Sequence, residues 1–479
     1  MTAAATDGGR GARSYGSGAR ILSLGLALTG VVTFAFFSLA SYALGDAAYQ
    51  PVALLWAITF IVCSVVYRPI EQLLARTLAD ARGHGRRGSS ELRTVVLLEA
   101  GAGVISVTLA LVLRTTIERH VFGAAPELYW VFVGAIAAYS VSYFARGWLA
   151  GSGRPELYGA LVFIESSGRC LFPILALIGL TSGTLAVALG IAAAPLLSLV
   201  VVPLALRGGI RAAESPAGAA ADEEQVAAEI EALAPDGTPA EAFPEDLHLA
   251  RNAADVPAAP PTSPVMEELT FRAGLVFAVS VVVVMACEQT LITAGVLSEG
   301  TGAAALVATA GAAAAIFNAF LVARAPLQLF QAIQSTLLPH LAELRTSGDR
   351  AAAAKALRTT MLAIAVFAAT VSVGLLALGP WAMGVLFDLS WRYAPATLAL
   401  VGVGMGLHLA AGTLNQSALA HGRAPIAAVA WTASALTYLL WLAAEPVHEA
   451  VARAASGYVV AAGVLLLGLL AVERDALRG

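Results

Sequence analysis

The sequence predicts an all-α polytopic membrane protein: twelve transmembrane helices in two six-helix bundles, related by a pseudo-two-fold axis along the membrane normal. Three observations predict it. The 479 residues are 58% apolar and 13% charged, with a mean hydropathy of +0.79, whereas about a quarter of the residues in soluble domains are charged. Twelve apolar runs approach the roughly 20 residues that a membrane-crossing helix needs. Finally, an element recurs, as IEQLLARTLADARGHG over Ile70–Gly85 and as IQSTLLPHLAELRTSG over Ile333–Gly348, with Ile, Leu, Leu, Ala, Arg and Gly in register.

Along the chain, residues 1–19 form a Gly/Ala/Ser/Arg tail expected to be disordered. Spans follow at 21–44, 51–67, 94–113, 127–145, 157–180 and 184–206, making a first bundle over 20–206. Each must be helical, because hydrocarbon offers no partner for open backbone groups. The first span exceeds a secretion-signal core of about 7–15 residues and leads into more spans, so it reads as retained. Segment 207–268 carries 13 of the 32 acidic residues and the stretches PDGTP and VPAAPPTSP. Little in it can build a core, and it reads as a flexible acidic cytoplasmic linker. A second bundle over 269–474 holds spans 273–297, 312–336, 359–386, 394–414, 424–444 and 455–472, ahead of a short tail, 475–479.

A second correspondence supports duplication: span 4 exits through LAGSGR (Leu149–Arg154) and span 10 through LAHGR (Leu419–Arg423). With six spans each, both halves enter from the same side, which places a cavity between them at mid-membrane. Basic residues set the orientation. With both termini cytoplasmic, only Arg114, Arg119, Arg392 and Arg453 lie outside, so the positive-inside rule favours a multi-pass protein of the cytoplasmic membrane. Cys63, Cys170 and Cys287 all fall within spans and read as small buried side chains, not as disulfides or metal ligands.

Charges inside spans cost about 2.5–3.5 kcal/mol each on insertion scales, so they mark protein- or water-facing positions. Span 5 holds Glu165 and Arg169, an i,i+4 pair with the acid N-terminal. Two readings stand: a pair that locks helices together, or a cavity site in which Arg169 meets an anionic substrate and Glu165 restrains it. The repeat register puts Arg324 in the middle of span 8, and Arg324, Gln328, Gln331 and Ser335 then share one face. Such a stripe suits either a helix contact or the wall of a water-filled path. Glu288, in span 7, is a candidate proton or cation site, or the counter-ion of Arg324; Glu165 is the other candidate for ion coupling. Glu99 lies within two turns of the end of span 3, where snorkelling to water is easy. His408 reads as a hydrogen-bonded core residue. Ser64, Arg68, Gln72 and Arg76 share a face at the cytoplasmic end of span 2, suited to anionic headgroups or to a substrate pyrophosphate.

No Walker loop, HExxH pair or CxxC set occurs. An inbuilt ATPase and a metalloenzyme are therefore not expected, and neither a cofactor nor a metal is called for. Nothing points to nucleic acid.

RPIEQLLARTLA (68–79), ARGWLAGSGRPELYG (145–159) with Glu165 and Arg169 beyond it, and LVARAPLQLFQAIQSTLLPHLAEL (321–344) carry a family likeness. On these strings the chain resembles the polysaccharide-exporter branch of the multidrug/oligosaccharidyl-lipid/polysaccharide (MOP) transporter superfamily, over essentially all twelve spans. The resemblance implies two six-helix bundles around a V-shaped cavity, and movement of a polyprenyl-pyrophosphate-linked saccharide from the cytoplasmic to the outer leaflet. It implies that cavity arginines hold the pyrophosphate, Arg169 and Arg324 being the positions that fit. Membrane lipids and glycan polymerases or glycosyltransferases would be the partners. The acidic linker departs from the family pattern. Two other functions remain as alternatives, a cation-coupled multidrug antiporter of the same superfamily and a membrane-embedded glycan-modifying transferase.

Overall fold

The computed structural model describes residues 8–83, 89–123, 125–203, 264–301, 311–322, 350–388, 390–420 and 422–478, all without β-strand. The helices are α1 (Gly8–Val62), a π-helical turn (Cys63–Tyr67), α2 (Arg68–Gly83), α3 (Ser89–Val112), α4 (Arg114–His120), α5 (Leu128–Gly151), α6 (Pro155–Leu177), α7 (Gly183–Ser198) and α8 (Pro264–Gly300). Then come α9 (Ala312–Val322), α10 (Arg350–Leu386), α11 (Pro395–Ala420), α12 (Ala424–Ala444) and α13 (Ala450–Arg478). Among the described residues, ten helical stretches are long and apolar enough to cross a membrane.

The first of these contains spans 1 and 2 of the sequence reading. Its helix is interrupted at Gly45 (φ 68°, ψ 177°), a conformation open to glycine because it lacks Cβ. Helix α1 begins at Gly8, inside the stretch assigned to a disordered tail, because extending a nucleated helix costs far less than starting one. Of span 8 only Ala312–Val322 is described. Arg324, Gln328, Gln331, Ser335 and the second copy of the repeat lie outside the described residues, as does most of the 207–268 linker.

Two compact units emerge. Residues 1–200 with 279–479 form one, and 201–278 form the other, whose described part is residues 201–203 and the start of α8. In the large unit, α1 packs on α6, α2 and α3 on α5, and α6 on α7; α11 packs on α10 and α13, and α12 on α13. Its core is aromatic and small-residue rich, with Phe36, Phe37, Tyr49, Tyr129, Phe317 and Tyr438 buried. Outward-facing Val104, Ile105, Leu362, Val373 and Trp381 present the apolar surface that lipid would cover.

The exits LAGSGR and LAHGR fold alike. Gly153 (φ 67°) and Gly422 (φ 70°) are both left-handed. Gly153 N donates to Ala150 O and Arg154 N to Leu149 O, while Gly422 N donates to Leu419 O and Arg423 N to Ala418 O. This paired closure is a glycine C-cap, after which Pro155 and Pro425 open the next helices, α6 and α12.

Close approach of α5 to α2 positions the site. A Cβ on Gly147 would sit 2.9 Å from Glu71 O, and one on Gly151 2.7 Å from Leu78 Cβ. The i,i+4 spacing of these glycines lets the two backbones meet, the small-residue contact of membrane helices.

Candidate functional site

A cavity of about 220 Å³ opens inside the large unit. Helix α1 supplies Thr29, Thr33, Phe34, Trp56, Thr59 and Phe60; the π-turn supplies Cys63 and Ser64; α2 supplies Arg68 and Glu71. Tyr139, Tyr143 and Arg146 come from α5, and Tyr158, Glu165, Ser166 and Arg169 from α6. Glu288, Gln289 and Ile292 of α8 and Leu321 of α9 complete the wall. π-Turns in membrane and soluble helices often mark functional sites, and this one widens the spacing just before Arg68.

At the centre one carboxylate holds two guanidinium groups. Arg146 Nη2 donates to Glu165 Oε2 at 2.5 Å, and Arg169 Nη2 donates to Glu165 Oε1 at 3.4 Å. Ser142 Oγ donates to Glu165 Oε2 at 3.0 Å, and Arg169 Nη2 also donates to Tyr139 Oη at 3.1 Å. The Arg169 guanidinium lies 4.2 Å from the Trp56 ring centroid, and that of Arg146 lies 4.5 Å from Tyr143's, which is cation–π range. Arg169 is 2% exposed, yet among the described residues its Nε and Nη1 have no hydrogen-bond partner, nor has Arg146 Nε. Buried donors without acceptors are costly. The cavity therefore presents unfilled donors beside a shared, incompletely neutralising carboxylate.

Two further groupings flank this centre. Tyr158 Oη donates to Glu71 Oε1 at 3.1 Å, and Arg68 lies within electrostatic reach of both Glu71 and Glu288. Glu288 Oε1 stands 3.8 Å from His408 Nε2, and His408 Nδ1 meets Tyr458 Oη at 3.1 Å. Glu288 thus sits between an arginine of the first half and a histidine of the second. His408 is buried and hydrogen-bonded, as its sequence context suggested, with an acid as an additional neighbour.

Of the sequence-predicted site residues, the structure gathers Arg68, Glu165, Arg169 and Glu288 at one cavity. Gln72 is exposed and outside it, because the inward positions from the end of the π-turn onward are Tyr67, Glu71 and Leu74. Arg324, Gln328 and Gln331 are outside the described residues. Glu99 does not snorkel: it is 3% exposed, turned into the bundle. Sequence reasoning missed Arg146 and Glu71. Arg146 was placed in the loop after a span ending at 145, whereas α5 runs to Gly151. The signal was present in Tyr139, Tyr143 and Arg146, which recur at helical spacing on one face.

No family model matches the sequence, and no curated protein matches it. Solved structures do match its fold. A multidrug-resistance MATE transporter of the MOP superfamily, in an inward-facing conformation, aligns with TM-score 0.62 at 12% identity, covering 95% of this chain and 98% of that one. The lipid II flippase MurJ, in an inward closed conformation, aligns with TM-score 0.60 at 12% identity over 95% of this chain and 87% of its own. A mutant of the Vibrio cholerae MATE transporter VcmN aligns with TM-score 0.58 at 13% identity over 97% and 98%. The chain has the fold shared by MATE transporters of the MOP superfamily and the flippase MurJ.

Proposed function

We propose that the chain is an alternating-access transporter that moves a polyprenyl-pyrophosphate-linked oligosaccharide, a precursor of cell-surface polysaccharide, across the cytoplasmic membrane. The observation that carries this reading is Arg169, buried on the cavity wall with two guanidinium nitrogens that no described residue fills. A diphosphate offers several acceptor oxygens in the geometry that a planar guanidinium fork matches. Arg146 adds a second donor group, and Glu165 holds both arginines in place until the anion arrives. Trp56, Phe60 and Tyr143 give the rest of the head group an amphipathic wall, while the polyprenyl tail stays in lipid. Arg324, with Gln328 and Gln331, is proposed as the facing contact from the second half. The likeness to a lipid-carrier flippase fits this reading.

Coupling is assigned to Glu288. A proton or cation taken up by Glu288 cancels its attraction for Arg68, loosening one link between the halves. A cation-coupled multidrug antiporter is the second reading, favoured by the cavity acids Glu165 and Glu288 and by the MATE-like fold.

The test is a reconstituted flipping assay with a fluorescent polyprenyl-pyrophosphoryl oligosaccharide. Arg169→Gln should abolish most transport while the protein remains normally abundant and folded. Unimpaired flipping by that variant would sink the reading. Proton-driven efflux of cationic dyes without glycan-lipid flipping would favour the antiporter.

A further inference from the structure

One ionisable side chain outside the cavity is shut inside the protein, and among the described residues nothing holds its charge. Glu99, on α3, is 3% exposed, and among the described residues neither carboxyl oxygen has a hydrogen-bond partner. Helix α3 packs against α2, α5, the π-turn and α4. From α2 comes Glu71 and from the π-turn Tyr67, both within electrostatic reach of Glu99. From α5 comes Tyr143, whose ring centroid lies 6.0 Å from that of Tyr67, while Arg146 of the same helix is taken by Glu165. Helix α4 carries Arg114, Glu118, Arg119 and His120 at the opposite end of α3, and Arg93, on α3 itself, is exposed. Among the described residues, no cation pairs with Glu99.

A buried carboxylate without a cation or a donor is unfavourable in such a place, whereas a carboxylic acid is tolerated. Glu71 is the contrasting neighbour: Arg68 is within reach, Tyr158 donates a hydrogen bond to it, and it lines the cavity. Of the two acids, Glu71 is the one with a hydrogen-bond donor and an open cavity beside it. One helical turn beyond Glu99, a Cβ on Gly103 would lie 2.4 Å from Ser140 Oγ. That close approach holds this face of α3, and Glu99 with it, tight against α5.

We propose that Glu99 is a proton-binding site of the first half, exchanging its proton with the cavity-lining carboxylate of Glu71. The step balances simply: the O–H bond on Glu99 breaks, an O–H bond on Glu71 forms, and the negative charge moves the opposite way. The first half then has a proton site of its own, separate from the Glu288–His408 pair. A metal cation is poorly served here, since a hard cation takes about six oxygen ligands or more, and no metal-binding group of His, Cys, Asp or Glu occurs among the described residues.

Infrared difference spectroscopy on the full-length protein in lipid nanodiscs tests this without any transport substrate, so its outcome is independent of the transported species. The carbonyl stretch of a carboxylic acid is absent from a carboxylate and shifts on deuteration. Wild type should show such a band, lost in Glu99→Gln and displaced in Glu99→Asp, with melting temperatures close to wild type. Glu71→Gln should keep the band and slow its deuterium shift several-fold. A band set unchanged in both Glu99 variants overturns the site, and an unchanged deuterium shift in Glu71→Gln overturns the exchange. Disappearance of the band when sodium replaces choline would make Glu99 a metal-cation site and overturn the proposal equally.

Discussion

Glu165 is the residue on which the site's electrostatics turn, since Arg146 and Arg169 share its single charge while both are buried. Removing one partner from a buried ion network strands the others, at about 3–5 kcal/mol. Glu165→Gln should therefore lower the melting temperature of the purified protein sharply. Glu288→Gln should do so far less, because the Glu288 side chain is 19% exposed. Equal shifts from the two substitutions would show that the triad does not depend on that charge. Glu165 and Arg169 were legible in the sequence because they stand i,i+4 in the middle of an unmistakable apolar run. Arg146 and Glu71 were not, because each lies where a run fades and hydropathy cannot say whether the helix has ended. Only the packing of α5 on α2 shows that these ends stay inside the protein. Glu99 misled for the same reason: nearness to a span end suggests water, but burial is decided by the neighbouring helices.

At the scale of the element, helix existence was legible and helix ends were not. Hydropathy follows the hydrocarbon thickness, so the spans emerged in order, whereas α5, α8 and α10 all run several residues past the apolar limits. The π-turn had no sequence signature, since it adds one residue to a turn without changing composition. The contact of α5 with α2 makes a sharp expectation about glycine. At Gly151 a methyl group would press against Ala75 Cα at 2.9 Å and Leu78 Cβ at 2.7 Å, so Gly151→Ala should destabilise by about 1–3 kcal/mol, the usual cost of overpacking. Gly101, mid-helix in α3, has nothing within 4 Å of the added methyl group. Gly101→Ala should stabilise by about 0.5–1 kcal/mol through lost backbone freedom in the unfolded chain. Unfolding of both variants in mixed micelles measures the difference. The same sign for both would mean that the α2–α5 contact adapts freely.

At the scale of the whole molecule, the two halves of the large unit are tied at one end by a set of polar contacts around the break at Gly45. Ser38 Oγ donates to Leu386 O at 2.5 Å, Tyr42 Oη to Val385 O at 2.7 Å, and Asp388 N to Ser41 Oγ at 3.2 Å. Asp46 accepts from Ser390 N at 3.1 Å and from its hydroxyl, and Tyr49 Oη donates to Asn318 Oδ1 at 2.5 Å. Individually such bonds contribute only about 0.5–1.5 kcal/mol net, and Ser390 is exposed beside a half-buried Asp46, so water can replace the protein partner there. A set of this kind is closed by summation and opened by modest competing binding energy, which is what alternating access requires of a gate. The proposed transport cycle therefore makes a demand on this end of the molecule. In a protein whose Cys63, Cys170 and Cys287 are replaced by serine, the pair Asp46→Cys and Ser390→Cys should cross-link on mild oxidation. Flipping of the fluorescent glycan lipid should then fall to the protein-free level, return on reduction, and stay near normal in each single-cysteine variant. Cross-linked protein that flips at the uncross-linked rate would mean that the halves do not part at the Gly45 end, and the gate would have to be sought elsewhere.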